Sequence, residues 1–583
     1  MPRLDAPLRK SLLHTILPYM NRATTLNRLA DDPVVDVLVI GAGINGIGTF
    51  RDLGLQGVTT LLVDQGDFCS GCSSASSHMA HGGIRYLENG EFRLVREAVN
   101  ERNRLILNAP HLVKPLPTIV PMFKLFSGLI NAPFKFLDLL DRPSERGALV
   151  IKVGLMFYDA LTRGQRVVPR HRFEGRKKSL ERWPDLDPEL KFTALYYDGQ
   201  LLSPERLCVE LALDATGSSE RAMALSYAQV LGVEVHGSGG EPEVIFRDEV
   251  GGKTIRVRPR VIINAGGPWI DSVNGSLGSP TAYIGGTKGS HIVVDNPALR
   301  KAMGEHEFFF ENKDGRIVLM LAWYDRVVIG TSDIPVQDAD GSICTDEEIE
   351  YFIGLAGRLF PTIPLTRDQI VFTFSGVRPL PRSGAKNSGQ ISRDHSIGET
   401  RVGTVPVLSL VSGKWTTFRA FAAQVTDRAL ALLGMSRQVS TEGLPIGGGA
   451  DWPSTPAAME EAELALVKKH GISFDRAQAL FGLYGSRAGL FLSEVAPGSP
   501  EVMLTSLPAY SRQEIAFLVN EEGAEHLDDL VLRRSTIAWR GLATRPVLEE
   551  LCDIMAIAKG WPPALRDAEL ARTRAILRER HGV

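Results

Sequence analysis

Cysteine is scarce in this chain: Cys69, Cys72, Cys208, Cys344 and Cys552 are the only five in 583 residues. Five scattered thiols do not build a disulfide framework, which points to a reducing compartment. Cys69 and Cys72 form a C-x-x-C pair, but no second pair and no Cys/His partner accompanies it. No metal site is therefore expected, and the pair reads as two small residues in a serine-rich loop. Long apolar runs are missing too. No uninterrupted stretch of about 18 residues exists, which argues against a spanning helix, and the first 32 residues lack the apolar core of a secretory signal. Neither sign of charge dominates, since 65 basic and 68 acidic residues leave a net charge of −3. Nucleic-acid binders carry a clear basic excess, so nucleic acid is not an expected partner.

The remaining composition is that of a multidomain globular protein. At 583 residues the chain exceeds what one hydrophobic core serves, and two or three domains are expected. Residues 1–33 read as an N-terminal extension, basic through Arg3, Arg9, Lys10, Arg22 and Arg28. That composition suits a mitochondrial transit peptide and a solvated bacterial extension equally. Val35 to Ile40 is a short β-branched run ending at glycine, read as a buried parallel strand. A helical stretch follows to about Gly57, then a second strand from Thr59 to Val63 that ends at Asp64, making one β-α-β unit.

Residues 69–88 are rich in Ser, Gly and His and read as a loop leading into a helix from about Glu91 to Asn108. Residues 114–160 are apolar and aromatic without a clean period. Strand-like runs recur at 261–264, 291–294, 327–330 and 407–411, so strands and helices alternate as in an α/β body. A Gly/Pro linker is expected within residues 436–456, followed by an all-α domain over 457–583. There Ser511-Arg512-Gln513-Glu514 is a capping-box pattern ahead of Ile515, Leu518 and Val519 at helical spacing.

The segment that carries chemistry is Gly41-Ala42-Gly43-Ile44-Asn45-Gly46, between the first strand and its helix. The first glycine allows the tight turn, the second lets the backbone approach a pyrophosphate, and the third lets helix pack on strand. Asp64 stands where a carboxylate accepts ribose hydroxyls. Dinucleotide binding follows, but this pattern does not separate FAD from NAD.

Later segments do so by resemblance. Ser73-Ser74-Ala75-Ser76-Ser77, His81-Gly82-Gly83-Ile84-Arg85-Tyr86-Leu87-Glu88 and the run Glu91 to Ala98 resemble segments of the FAD-dependent glycerol-3-phosphate dehydrogenase family, of bacterial aerobic and mitochondrial type. So do Lys288 to Val294, Ser375-Gly376-Val377-Arg378-Pro379-Leu380, Gly413-Lys414-Trp415-Thr416-Thr417 and the run Glu514 to Arg534. The matches keep the family's order from about Val35 to Trp539. The resemblance implies an α/β fold with a Rossmann-like FAD domain of the glutathione-reductase type. A β-rich substrate domain would be interleaved with it over residues 34–435, ahead of the helical C-terminal domain.

It also implies roles. Gly41, Gly43, Gly46 and Asp64 would hold the ADP half of FAD, with Ser73, Ser74 and Ser77 along the pyrophosphate and ribityl chain. Gly266 would form a second glycine turn near the cofactor, and Gly413 and Lys414 would sit beside the pyrimidine end of the flavin. Arg85 and Arg378 are the candidate clamp for a substrate phosphate, since guanidinium matches phosphate oxygens bidentately. His81 is the candidate base that accepts the hydroxyl proton, with His291 as the alternative.

The family reaction is oxidation of sn-glycerol 3-phosphate to dihydroxyacetone phosphate, with electrons passed to a membrane quinone. The expected site of action is cytoplasmic, peripheral to the inner membrane, and a homodimer is compatible with the sequence. The aromatic and lysine-rich stretch from Met122 to Leu137 is the candidate interfacial element. Another polyol phosphate such as erythritol phosphate, oxygen as acceptor, and a non-catalytic flavin scaffold remain open.

Two departures from the family bear on the substrate. His78-Met79-Ala80-His81 replaces the usual K-L-I-H, and Ser412 and Phe418 replace a glycine and a tyrosine around the late lysine. If His78 and Ala80 line the site, the pocket is larger and less cationic. The plainer reading has residue 78 at solvent or a helix end and residue 80 in the core.

Overall fold

The computed structural model describes residues 21–83, 91–125, 148–161, 167–235, 241–312, 317–383, 391, 393–494 and 500–583. Among these residues two large sheets organise the chain. The first runs in the order Ser396–Val402, Val405–Val411, Lys253–Asn264, Val34–Ile40, Thr60–Val63, Ala222–Leu225, with Ala228–Val235 and Pro242–Asp248 attached beside Lys253–Asn264. From Val405–Val411 to Ala222–Leu225 the neighbours are parallel. The central strands are buried on both faces, which is why Val34–Ile40 reads as a nearly continuous apolar run. Helices Ile44–Leu55, Pro204–Ser218 and Phe418–Leu433 bury side chains with this sheet in one cluster that includes Phe50, Leu207 and Phe421.

The second sheet holds ten strands in the order Ile334–Val336, Gly286–Val294, Arg326–Gly330, Ile317–Trp323, Glu307–Glu311, Val113–Met122, Phe192–Leu201, Met79–Ala80. Ile370–Arg378 also pairs along Gly286–Val294, placing Arg378 opposite Thr287, and Arg172–Gly175 pairs with Phe192–Leu201. The strand Val113–Met122 lies in the stretch that showed no sequence period. Its three prolines, Pro115, Pro117 and Pro121, lack a donor and ordinarily exclude an interior strand. The carbonyls of Leu112 and Met122 bond toward the Phe192–Leu201 side, so the odd-numbered prolines face the other way. On that side Val113–Met122 pairs with Glu307–Glu311 only at Thr118 and Ile119.

The C-terminal helices share a core with this second sheet: Leu321, Phe372 and Phe374 pack with Leu480, Leu518, Trp539 and Leu551. The expected helix after Ser511 spans Arg512–Glu521, and Ser511 Oγ accepts the Glu514 N–H at 3.1 Å. Glu514 does not complete the box; its carboxylate accepts from Arg476 at 2.6 Å and from Tyr484 Oη at 2.7 Å. Residues 436–456, read as a linker, are held against the body. Ile446 N–H bonds Asn108 O at 2.7 Å, Gly448 N–H bonds Glu210 at 3.1 Å, and Gly447 to Gly449 are buried.

Candidate active site

The glycine turn after Val34–Ile40 closes with no room to spare. Gly41 adopts φ +106°, open to glycine but strained for other residues, and a Cβ there would meet Ala265 O at 2.6 Å and Gly266 N at 2.9 Å. A Cβ on Gly46 would stand 1.9 Å from Gly41 O. The turn therefore delivers the N-terminus of Ile44–Leu55 directly beyond the strand end. The dipole of that helix end favours a pyrophosphate there. Asp64 Oδ2 accepts the Ala42 N–H at 2.6 Å and Oδ1 accepts Gly66 N–H at 2.8 Å. Burial raises its pKa to about 6, against those two hydrogen bonds. The cradle fits the adenosine half of a dinucleotide, and Gly266 joins it by close approach to Gly41.

The serine loop lies across this helix end. Ser73 Oγ accepts the Ile44 N–H at 3.0 Å, which leaves its own hydroxyl proton to donate toward a phosphate oxygen. Ser74 Oγ instead donates to Gly71 O at 2.9 Å, and Ser77 Oγ pairs with His291 Nε2 at 2.9 Å. Of the three serines, Ser73 is the one at the cradle, and Ser77 ties the loop to the second sheet.

The late glycine turn arrives from Val405–Val411. Gly413 has φ +109°, and a Cβ there would stand 2.5 Å from Asn45 Nδ2, so this turn closes over the same helix end. Ser412, in place of a family glycine, is itself left-handed at φ +67°. Phe418 packs against Gly48, where a Cβ would be 2.7 Å from its ring; it is buried, and apolar packing suffices at this position. Trp415 Nε1 donates to Ser73 O at 2.9 Å, and Thr416 Oγ1 donates to His81 O at 3.1 Å. These bonds bring Lys414 beside His81. Burial, with Arg393 nearby, lowers the Lys414 ammonium to about 7. Burial, with Lys414 and Arg393, lowers His81 to about 3, so its imidazole is neutral.

The turn after His81 is pinned by a buried group. Gly82 N–H bonds Asp198 Oδ1 at 2.9 Å, and the same oxygen accepts from Tyr158 Oη at 3.0 Å and Arg102 Nη1 at 3.2 Å. A Cβ at Gly82 would fall 1.9 Å from Tyr158 Oη. Neither Arg393 nor this Arg102–Tyr158–Asp198 group was singled out from sequence. Their residues are separated along the chain, and only the fold collects them.

On the second sheet His291 is buried, stacked on Phe374 with ring centres 4.5 Å apart, and held neutral by burial and by nearby Arg378. Arg378 donates to Thr331 Oγ1 at 2.8 Å and to Asp333 Oδ1 and Ser332 O at 3.2 Å. Its side chain is 22% exposed. Arg85 lies outside the described residues. His78 is at neither solvent nor a helix end: it has φ +54°, is buried, and its ring sits among Trp323, Phe374 and Trp539. Ala80 is fully buried on the two-residue strand opposite Gly199, as the plainer reading held for that position.

Comparison with known proteins converges on the same cofactor. The model of the FAD dependent oxidoreductases matches residues 36–428, and that of the C-terminal domain of alpha-glycerophosphate oxidase matches residues 439–566. A Synechocystis glycerol-3-phosphate dehydrogenase is 35% identical, over 92% of this chain and 95% of its own length. A D-erythritol 1-phosphate dehydrogenase of Brucella abortus is 30% identical, over 87% of this chain and 95% of its own. The solved structure of a glycerol-3-phosphate dehydrogenase from Bacillus halodurans complexed with FAD shares the fold. Its TM-score is 0.75 at 22% identity, covering 96% of this chain and 98% of that one. With its glycine cradle, its interleaved second sheet and its helical C-terminal part, the chain is an FAD enzyme and belongs to the FAD-dependent glycerol-3-phosphate dehydrogenase family.

Proposed function

We propose that this chain oxidises sn-glycerol 3-phosphate to dihydroxyacetone phosphate and passes the electrons on to a membrane quinone. The observation that carries the reading is the convergence of two cation-bearing groups on one loop. Lys414 and Arg393 gather about His81, and Arg378 stands beside His291, which Ser77 holds. Both imidazoles are uncharged, so either can accept a proton. The alcohol substrate must lose one proton and one hydride to become a ketone. FAD, when bound, supplies the hydride acceptor at N5 of its ring system.

The chain's own residues supply the rest. Arg378 and Arg393 offer guanidinium groups to a phosphate dianion. That dianion offsets the Lys414 and Arg393 charges, which add to burial in depressing His81, and so strengthens it as the proton acceptor at the carbinol. Lys414, on the late glycine turn, would place positive charge where the reduced flavin would carry negative charge. The Asp198 group holds the Gly82 turn, and with it the main chain of His81, in a fixed place.

Membrane association is supported by the helix Ala148–Leu161, which exposes Leu149, Val153 and Met156 at one-turn spacing, near exposed Leu125. That face suits the interfacial zone of a bilayer. Most of the stretch from Met122 to Leu137 lies outside the described residues. No helix among the described residues is long and apolar enough to cross a membrane.

The test is anaerobic mixing of the yellow enzyme with glycerol 3-phosphate, D-erythritol phosphate and unphosphorylated glycerol. Bleaching fastest with glycerol 3-phosphate, followed by reoxidation by a ubiquinone analogue faster than by oxygen, supports the proposal. A higher specificity constant for the four-carbon phosphate overturns the substrate assignment. Rapid reoxidation by oxygen alone overturns the quinone assignment.

A further inference from the structure

We infer that the C-terminal helices position the adenosine end of the FAD site, through Arg534 and Arg533 acting on Asp67. The inference concerns cofactor binding, so it stands or falls independently of the substrate assignment.

Asp67 lies three residues beyond Asp64 and is 1% exposed. A buried carboxylate requires paired, hydrogen-bonded charge, and here both oxygens are taken by one short π-helical turn, Leu530–Arg534. Arg534 grips it as a fork, Nη1 to Oδ2 at 2.8 Å and Nη2 to Oδ1 at 2.9 Å, and Arg533 Nε adds a bond to Oδ2 at 2.6 Å. The turn is itself fixed, since Arg534 Nε donates to Glu522 O at 3.0 Å and Arg533 Nη2 to Asp528 Oδ2 at 2.9 Å. A second tie runs in parallel. Tyr227 Oη donates to Asp529 at 2.5 Å while Tyr227 N–H bonds Gly66 O at 2.9 Å.

The loop so clamped is the one that builds the cradle. Cys69 N–H bonds Ala42 O at 2.8 Å, and Asp64 accepts from Ala42 and Gly66 at 2.6 and 2.8 Å. A displacement of Asp67 is therefore transmitted to both the ribose-facing carboxylate and the phosphate-facing turn. Arg533 also acts on Asp64 directly, favouring its ionised form against the opposing charge of Asp67. None of these contacts reaches the late glycine turn or the serine hydroxyl that pairs with His291. The effect is thus confined to one half of the cofactor.

Full-length apoprotein of wild type, Arg534→Met and Arg534→Lys is titrated separately with FAD, ADP and FMN by calorimetry, with thermal melts of each apoprotein alongside. Losing the fork removes charge-assisted bonds, so Arg534→Met is expected to weaken FAD and ADP by roughly ten- to a hundredfold. FMN, which lacks the adenosine half, should change by less than about twofold. Arg534→Lys keeps the charge without the fork and should recover part of the loss. Equal weakening of all three ligands would show general loosening and overturn the inference, as would unchanged ADP and FAD affinity. If Arg534→Met yields no folded apoprotein, Arg534→Lys decides by the same comparison: selective loss of ADP and FAD supports the inference, and parallel or absent loss overturns it.

Discussion

Adding one methyl group at Gly289 tests the Arg378 clamp without touching the arginine. A Cβ built on Gly289 would stand 2.1 Å from Arg378 Nη2, 2.5 Å from Cζ and 2.7 Å from Nη1. The three nearest atoms all belong to the far end of a flexible side chain, so the strand can accept alanine if the guanidinium moves by more than about 1 Å. That movement breaks the bonds to Thr331, Asp333 and Ser332 O. The pair with Asp333 is partly exposed and worth at most about 1 kcal/mol, so the melting temperature should hardly change. Catalysis should suffer far more, because a misplacement of about 1 Å costs on the order of 100-fold. Gly289→Ala should therefore lower kcat/KM for glycerol 3-phosphate by about two orders of magnitude, close to the loss in Arg378→Ala. FAD content, read from the visible spectrum, should match the wild type. A Gly289→Ala enzyme with near-wild-type kcat/KM, or one that loses FAD instead, would refute the placement of Arg378 in the phosphate site.

Gly46→Ala should purify colourless, since its Cβ would overlap the Gly41 carbonyl at 1.9 Å and backbone cannot yield as a side chain does; bound FAD per chain is the measurement. Lys414→Met should keep FAD but slow its reduction by substrate by about 100- to 1000-fold in stopped flow, the usual loss for one preorganised charge at a reacting centre. Glu307 is buried, with its pKa raised to about 8 by burial, so the folded chain keeps a proton that the unfolded chain releases above about 4.5. Stability is therefore lost as pH rises from about 4.5 to 8. Glu307→Gln should raise the melting temperature at pH 8.5 relative to wild type and leave it nearly level at pH 5.5; the opposite order would contradict a buried protonated Glu307.

Much of the cofactor domain was legible because its constraints are local. A parallel strand buried on both faces must be apolar along its length, and the turn after it must be glycine where a Cβ meets backbone within 3 Å. The strands expected near 35–40, 59–63, 261–264, 291–294, 327–330 and 407–411 all fall, to within one residue, inside observed strands, although Lys253–Asn264 and Gly286–Val294 begin well before the expected bounds. The strand Val113–Met122 did not show because three prolines hide its alternation. They are tolerated only because their side of the strand makes so few pairings, a property of the neighbours.

The sequence by itself thus determined the cradle at Gly41, Gly43 and Gly46, the acidic residue that ends the second strand, and the family to which the whole order of segments belongs. Tertiary structure decided which polar side chains meet. Ser77, which the resemblance sets along the pyrophosphate and ribityl chain, meets His291 from the second sheet. His78 was weighed as a pocket wall and lies among three aromatic rings. Arg393 had no signature and stands beside His81 and Lys414, and Asp67 finds Arg534 467 residues away. Backbone constraints act over a few neighbouring residues and leave a readable pattern. A charge pair across hundreds of residues leaves none, because its partner is chosen only when the sheets and helices have packed.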